Sequence, residues 1–250
     1  MGINKKNKRK FGLIGKNIDY SFSKIFFKEK FKIEKINDSI YENFDIKKID
    51  LVEKIFKIKN LIGLNVTIPY KETIIPYLDF IDNDAKKIGA VNTICFMNNG
   101  QTKGYNTDVH GFEFALFSKW KKNTSKCLIL GTGGASKAIE FVLTKNNILS
   151  TFVSRKPNKN QIAYNQVTKE ILKSHKLIIN CTPVGTFPNI NEAPEIGYKF
   201  LTKDHFLFDL IYNPMESKFL KNGLAESCST MNGLNMLKEQ ANKAWELWNQ

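Results

Sequence analysis

Histidine, arginine and cysteine are all scarce in this chain. Its 250 residues include three histidines (His110, His175 and His205), two arginines (Arg9 and Arg155) and four cysteines (Cys95, Cys127, Cys181 and Cys228). No histidine has a metal-ligand partner at helical spacing, and the cysteines lack the paired spacing of zinc sites, which argues against a metal enzyme. The same wide spacing provides no disulfide framework, so the cysteines read as free thiols in a reducing cytoplasm. Long apolar runs are missing as well. No segment is long enough to span a bilayer, and FGLIG (11–15) is far shorter than the core of a secretory leader. No membrane partner is expected.

Acidic residues are outnumbered, 24 against 38 basic ones, for a formal charge of +14. A charge of that size raises the question of nucleic acid. The lysines, however, are spread along the chain and accompany abundant Asn, Ile and Phe, which is the mark of a compositional bias, and no nucleic-acid partner is expected. The one dense cluster, KKNKRK (5–10), either steers anions or is a solvated tail. With 42% hydrophobic residues the chain can fill one or two domain cores.

There is no internal repeat and no flexible linker. Short apolar runs alternate with amphipathic stretches at helical period, predicting an α/β protein with largely parallel sheets. In the first part FGLIG, IYENF (40–44) and LIGLNVTIP (61–69) read as strands, with helices near Ser23 to Phe31 and Asp50 to Lys57. The stretch from Glu72 to Gly89 reads as helical in parts and broken at Pro76. Residues 90–106 read as a hairpin turning at Asn98, Asn99 and Gly100. After Asn106 come a helix capped by Thr107 or Asp108, a βαβ unit made of CLILG (127–131), a helix from Ala135 to Lys145 and TFVSR (151–155), then strands KLIINC (176–181) and HFLFDLIY (205–212). A last helix runs from Leu234 to Trp248 and can return to the first domain.

GTGGASKA (131–138) follows a strand and opens a helix. In that setting glycines let backbone approach a pyrophosphate, and the helix start offers amide donors. Ser136 stands where a third glycine is usual. The next strand ends in Ser154, Arg155 and Lys156 with no carboxylate, which favours the 2′-phosphate of NADP over the bare ribose of NAD. A ketone that accepts hydride gains negative charge on oxygen, and with so few histidines a lysine is the available acid. Lys71, just after NVTIPY, is a candidate, and Asp108 a candidate partner.

Taken together, GKNIDYSFSK, NVTIPYK, GAVNT, GYNTDVHG, GTGGASKA, SRK, NCTPVGT, DLIYNP and NGLNMLKEQA resemble the shikimate dehydrogenase family over nearly the whole chain and in the same order. The resemblance implies NADPH-dependent reduction of 3-dehydroshikimate to shikimate on the way to chorismate and the aromatic amino acids. It implies two α/β domains with a deep cleft between them: a substrate-binding domain of residues 1–106 plus 232–250, and a Rossmann-type NADP-binding domain of 107–231. In this scheme Lys71 is the acid/base and Asp108 its partner. Ser21 and Ser23 hold the substrate carboxylate, Thr67, Asn92 and Gln240 its hydroxyls, and Tyr212 lies nearby. Gly131, Thr132, Gly133, Gly134 and Ala135 cradle the pyrophosphate, with Thr182 close by. Ser154, Arg155 and Lys156 face the 2′-phosphate, and Gly233 and Met236 lie near the nicotinamide. The implied assembly is a monomer or homodimer. A paralogue acting on quinate, perhaps with NAD, is the nearest rival reading, and a basic nucleic-acid-binding protein the distant one. The chain departs from the family pattern at Tyr20, Lys24, Ser154, Lys156 and Thr186.

Overall fold

The computed structural model describes residues 8–19, 21–121 and 124–250. Residues 5–7 of the basic cluster and Tyr20 lie outside the described residues. The chain divides into two units: one ends at Thr107 and takes in Ala241–Gln250, and the other is Asp108–Gln240.

The first unit is built on β1 (Arg9–Gly15), α1 (Phe22–Ile33), β2 (Ser39–Asp45), α2 (Val52–Phe56), β3 (Leu61–Val66), β4 (Phe80–Ile81), α3 (Asn83–Ile88), β5 (Thr93–Phe96) and β6 (Thr102–Tyr105). Its sheet runs β2-β1-β3-β5-β6-β4. β1 lies parallel to β2 and β3, whereas β5 is antiparallel to both β3 and β6. Three of the five strand pairings in this sheet are parallel, in line with the expected largely parallel architecture, and the expected hairpin over residues 90–106, closed by a five-residue loop, supplies an antiparallel pair. Alternation along β1 explains both layers. Phe11 and Leu13 join Phe27, Phe31, Tyr41, Ala244 and Trp248 in one cluster, while Ile14 joins Val52, Leu64, Ile74 and Ile94 in another. Trp248 donates its indole N–H to the Ile94 carbonyl at 3.0 Å, and its ring fills the space that a side chain at Gly63 would need.

Two expectations fail here. Pro76 does not break a helix: it sits inside a short 3-10 turn, Ile75–Tyr77, that leads into β4. Proline's fixed φ suits that turn's start. Arg9 is not part of a solvated tail, because it lies in β1, pairs with Asp38 at 3.3 Å, bonds Asn249 and stacks over Phe11 and Trp245.

The second unit contains α4 (Asp108–Lys119), β7 (Lys126–Leu130), α5 (Gly134–Lys145), β8 (Leu149–Ser154), β9 (Gln161–Ala163), α6 (Lys169–Ser174), β10 (Leu177–Asn180), β11 (Phe206–Asp209), α7 (Lys218–Ala225), β12 (Ser229–Met231) and the first part of α8 (Leu234–Trp248). Its sheet, β12-β11-β10-β7-β8-β9, is parallel throughout. Strands buried on both faces read as continuous apolar runs. In β7, Cys127 and Ile129 face Phe112, Leu116, Ile139 and Val142, while Leu128 and Leu130 face Leu172, Phe219 and Leu220. Order reverses between β7 and β10, the point where ligands bind at the carboxyl ends of such sheets.

Candidate active site

In the first unit a buried polar chain links β2, β3 and the start of β5. Asn65 is 5% exposed inside an otherwise apolar strand, so its amide needs partners. Its Oδ1 accepts the Tyr41 hydroxyl at 2.8 Å, and its Nδ2 donates to Thr93 Oγ1 at 3.2 Å and to the Asn92 carbonyl at 3.4 Å. Asn92 Oδ1 accepts from the Thr93 hydroxyl (3.0 Å), the Thr107 hydroxyl (3.2 Å) and the Thr107 N–H (2.7 Å). With three donors on its oxygen, Asn92 Oδ1 is committed to holding this part of the fold together.

Lys71 follows from the same scaffold. The turn after β3 is tied down by Thr67, whose N–H donates to the Ile14 carbonyl at 2.9 Å, and by Tyr70, whose buried hydroxyl reaches the Ile46 carbonyl at 2.7 Å. The next residue, Lys71, is half-buried, and its carbonyl accepts the Val91 N–H at 2.7 Å. The backbone at Lys71 is thereby joined to the segment carrying Asn92. Ser21 caps α1, accepting the Ser23 N–H at 3.3 Å, and both serines are half-buried. As an acceptor in that cap, Ser21 keeps its own proton to donate. Burial raises the Tyr41 hydroxyl well above its ordinary value, against a hydrogen bond with Ser23 that lowers it, and so keeps the phenol neutral and donating.

The second unit supplies the glycine turn. Gly131 has φ +97°, a conformation that glycine adopts freely, and a Cβ there would lie 2.8 Å from Thr182 Cγ2. Gly133 caps α5 with φ −78°, and a Cβ built on it meets nothing within 4 Å. α5 has no side-chain cap and no acidic residue in its first turn, so its leading amides are turned toward an open cradle. That donor set fits a pyrophosphate. Ser136, in the third glycine's place, is 1% exposed and returns its hydroxyl to the Gly133 carbonyl at 2.7 Å, so the substitution tightens the turn. Ser154 ends β8 and accepts the Lys156 N–H at 3.2 Å, and Arg155 and Lys156 are exposed. Two exposed cations beside a hydroxyl, with no carboxylate, fit a phosphomonoester.

The remaining candidates also belong to the second unit. Asp108 opens α4 at 6% exposure, Gln240 on α8 is 8% exposed with its Nε2 donating to the Leu237 carbonyl, and Met236 lies in the core beside α4. Tyr212 follows Ile211, whose carbonyl accepts the Gly233 N–H at 3.0 Å. Reading the sequence missed Tyr41, Asn65, Thr93 and Asp209. An Asn or Asp in an otherwise apolar strand, next to a Thr or at the strand's end, is the signal that marks them.

A doubly wound parallel sheet with a glycine turn opening onto an uncapped helix defines a Rossmann-type dinucleotide-binding unit, here joined to a second α/β unit. Residues 13–94 match the shikimate dehydrogenase substrate binding domain model. The shikimate dehydrogenase (NADP(+)) of Methanococcus maripaludis strain C7 is 40% identical over 254 residues, covering 95% of this chain and 90% of that protein. A crystal structure of shikimate dehydrogenase in complex with NADP+ superposes with a TM-score of 0.89 at 34% identity, over 98% of this chain and 91% of the other. The Thermus thermophilus enzyme, in complex with NADP(H) and shikimate, gives 0.84 at 26% identity over 96% and 92%. This chain belongs to the shikimate dehydrogenase family.

Proposed function

We propose that this chain interconverts shikimate and 3-dehydroshikimate with NADP as the cofactor, working as a reductase in the synthesis of chorismate and the aromatic amino acids. The observation that carries the reading is the stitching of the Lys71 backbone to Val91, and of neighbouring Asn92 to Thr107, the residue before Asp108. Bonds within the first unit thus tie the Lys71 segment to Thr107, which supports the reading.

Lys71 donates a proton to the oxygen that gains charge as the ketone becomes an alcohol. Asp108 holds and orients that ammonium. Ser21 and Ser23 donate to the substrate carboxylate near the start of α1. Thr67, Asn92 and Gln240 bind its hydroxyls, and Tyr212 lies nearby. When bound, NADPH supplies the hydride. Residues 131–135 receive its pyrophosphate, supported by the open space at Gly133 and the uncapped α5. Ser154, Arg155 and Lys156 receive the 2′-phosphate, and Gly233 and Met236 border the nicotinamide. Residues 1–106 with 232–250 form the substrate-binding part, and residues 107–231 bind the dinucleotide. The four unbridged cysteines support a cytoplasmic location.

The test is NADPH formation by purified protein given NADP+ and shikimate, with quinate and NAD+ in parallel. A rate no higher than the blank on shikimate and NADP+ removes this reading, and a preference for quinate or NAD+ replaces it with that of a paralogue.

A further inference from the structure

Asp209, the last residue of β11, is 0% exposed, and nothing in the proposed reaction uses its carboxylate. Its Oδ1 accepts the Asn180 side-chain amide at 3.0 Å and the Ile211 N–H at 3.0 Å, and its Oδ2 accepts the Ser217 hydroxyl. Each donor leads to a different segment. Asn180, also 0% exposed, accepts on Oδ1 both the N–H (3.0 Å) and the hydroxyl (2.6 Å) of Thr182. Thr182 Oγ1 in turn accepts the Val184 N–H at 3.2 Å, and its methyl is the group that a side chain at Gly131 would strike. Ile211 receives the Gly233 N–H on its carbonyl, immediately before α8. Ser217 caps α7 by accepting the Leu220 N–H.

Burial raises the carboxyl to about 6, opposed by the bonds from Ser217, Ile211 and Asn180. The neighbouring ionisable groups, Cys181 and Tyr198, are held neutral by burial, so the three donors are what satisfies the charge. A buried carboxylate is costly to hold. The segments it ties together are those carrying Thr182, Tyr212 and Gly233.

We infer that Asp209 is a positioning residue for the dinucleotide site: through Asn180 it sets the Thr182 turn against the glycine turn, and through Ile211 it sets the start of α8. This rests on the proposed NADP-dependent activity, and NADPH binding by the unaltered protein tests that basis separately. Without it, the failure belongs to the functional reading.

The experiment is NADPH titration by fluorescence on Asp209→Asn, Asp209→Ala, Asn180→Ala and the double variant Asp209→Ala/Asn180→Ala, with thermal melts alongside. Asp209→Asn keeps an acceptor for Asn180 and Ile211 and can donate to Ser217, so its Kd stays within threefold of the unaltered protein. Asp209→Ala and Asn180→Ala each raise Kd by tenfold or more, and the double variant is no weaker than the weaker single one. If Asp209→Ala does not fold, Asn180→Ala and Asp209→Asn decide the matter. Unchanged Kd in folded Asn180→Ala, a Kd for Asp209→Asn raised tenfold or more, or effects that multiply in the double variant overturns the inference.

Discussion

Asn92 Oδ1 accepts the backbone N–H of Thr107 at 2.7 Å, linking the residue that precedes β5 to the residue before Asp108. The same oxygen takes two threonine hydroxyls. Asn92→Ala therefore strands three buried donors and should cost about 1–3 kcal/mol of stability, read by urea denaturation. Asn92→Asp keeps the acceptor and loses the amide N–H. It should hold most of the stability while lowering kcat/KM for shikimate, a separation that a purely structural Asn92 would not produce.

Lys71→Ala and Asp108→Asn should each reduce turnover by about a hundredfold or more, the usual weight of a positioned acid or base, with circular dichroism unchanged. Near-normal turnover in either folded variant would remove that residue from the chemistry.

Gly133 separates folding from binding. Its φ of −78° is open to any residue and a Cβ there meets no protein atom within 4 Å, so Gly133→Ala should melt like the unaltered protein. The new methyl enters the cradle at the start of α5, and NADPH affinity should fall by tenfold or more. Gly131→Ala, strained by its φ of +97°, should lose stability as well. Equal NADPH affinity in Gly133→Ala would empty the cradle of its proposed occupant.

Arg155→Ala should raise KM for NADP+ by roughly tenfold or more, the worth of a charge-assisted bond of about 1.5–3 kcal/mol, and leave KM for NAD+ nearly unchanged. Lys156→Ala should act in the same direction, more weakly, because an ammonium lacks the planar fork. Parallel loss with both cofactors would show that these cations do not read the 2′-phosphate.

Two buried histidines should each take stability away on mild acidification, for a nameable reason. Burial lowers the titration of His175 and His205 below the ordinary 6.5, so the unfolded chain binds protons that the folded chain refuses. Their contribution is intact above 6.5 and is lost as pH drops toward the folded values. Asp209 has the opposite sign. Raised from 3.8 to about 6, its carboxyl is protonated earlier in the folded state, and its penalty grows as pH rises through that window. Asp209→Asn should therefore gain on the unaltered protein, by about 1 kcal/mol, between pH 5 and 7.5. Parallel denaturation curves at the two pH values would contradict this.

What could be read from residue order follows from length and burial. β1, β3, β7, β10 and β11 are central strands whose apolar runs stand between turns, and the glycine turn was legible because it joins a strand to a helix. β4, β9 and β12 are edge strands of two or three residues, too short to carry a period. The Asn65–Thr93–Asn92–Thr107 chain joins distant segments, and no local pattern encodes which buried amide meets which hydroxyl. Asp209 was hidden for the opposite reason: FLFDLI reads as one apolar strand, and its single carboxylate passes for a strand end.

The seat of Trp248 against Gly63 bears on the order of assembly. During synthesis the first hundred residues emerge long before the tryptophan that covers their sheet, whereas the segment from Asp108 onward has its own strands in hand by residue 231. The middle of the polypeptide can mature while the earlier part waits, and a ribosome stalled short of residue 248 would hold that earlier part with an exposed aromatic face.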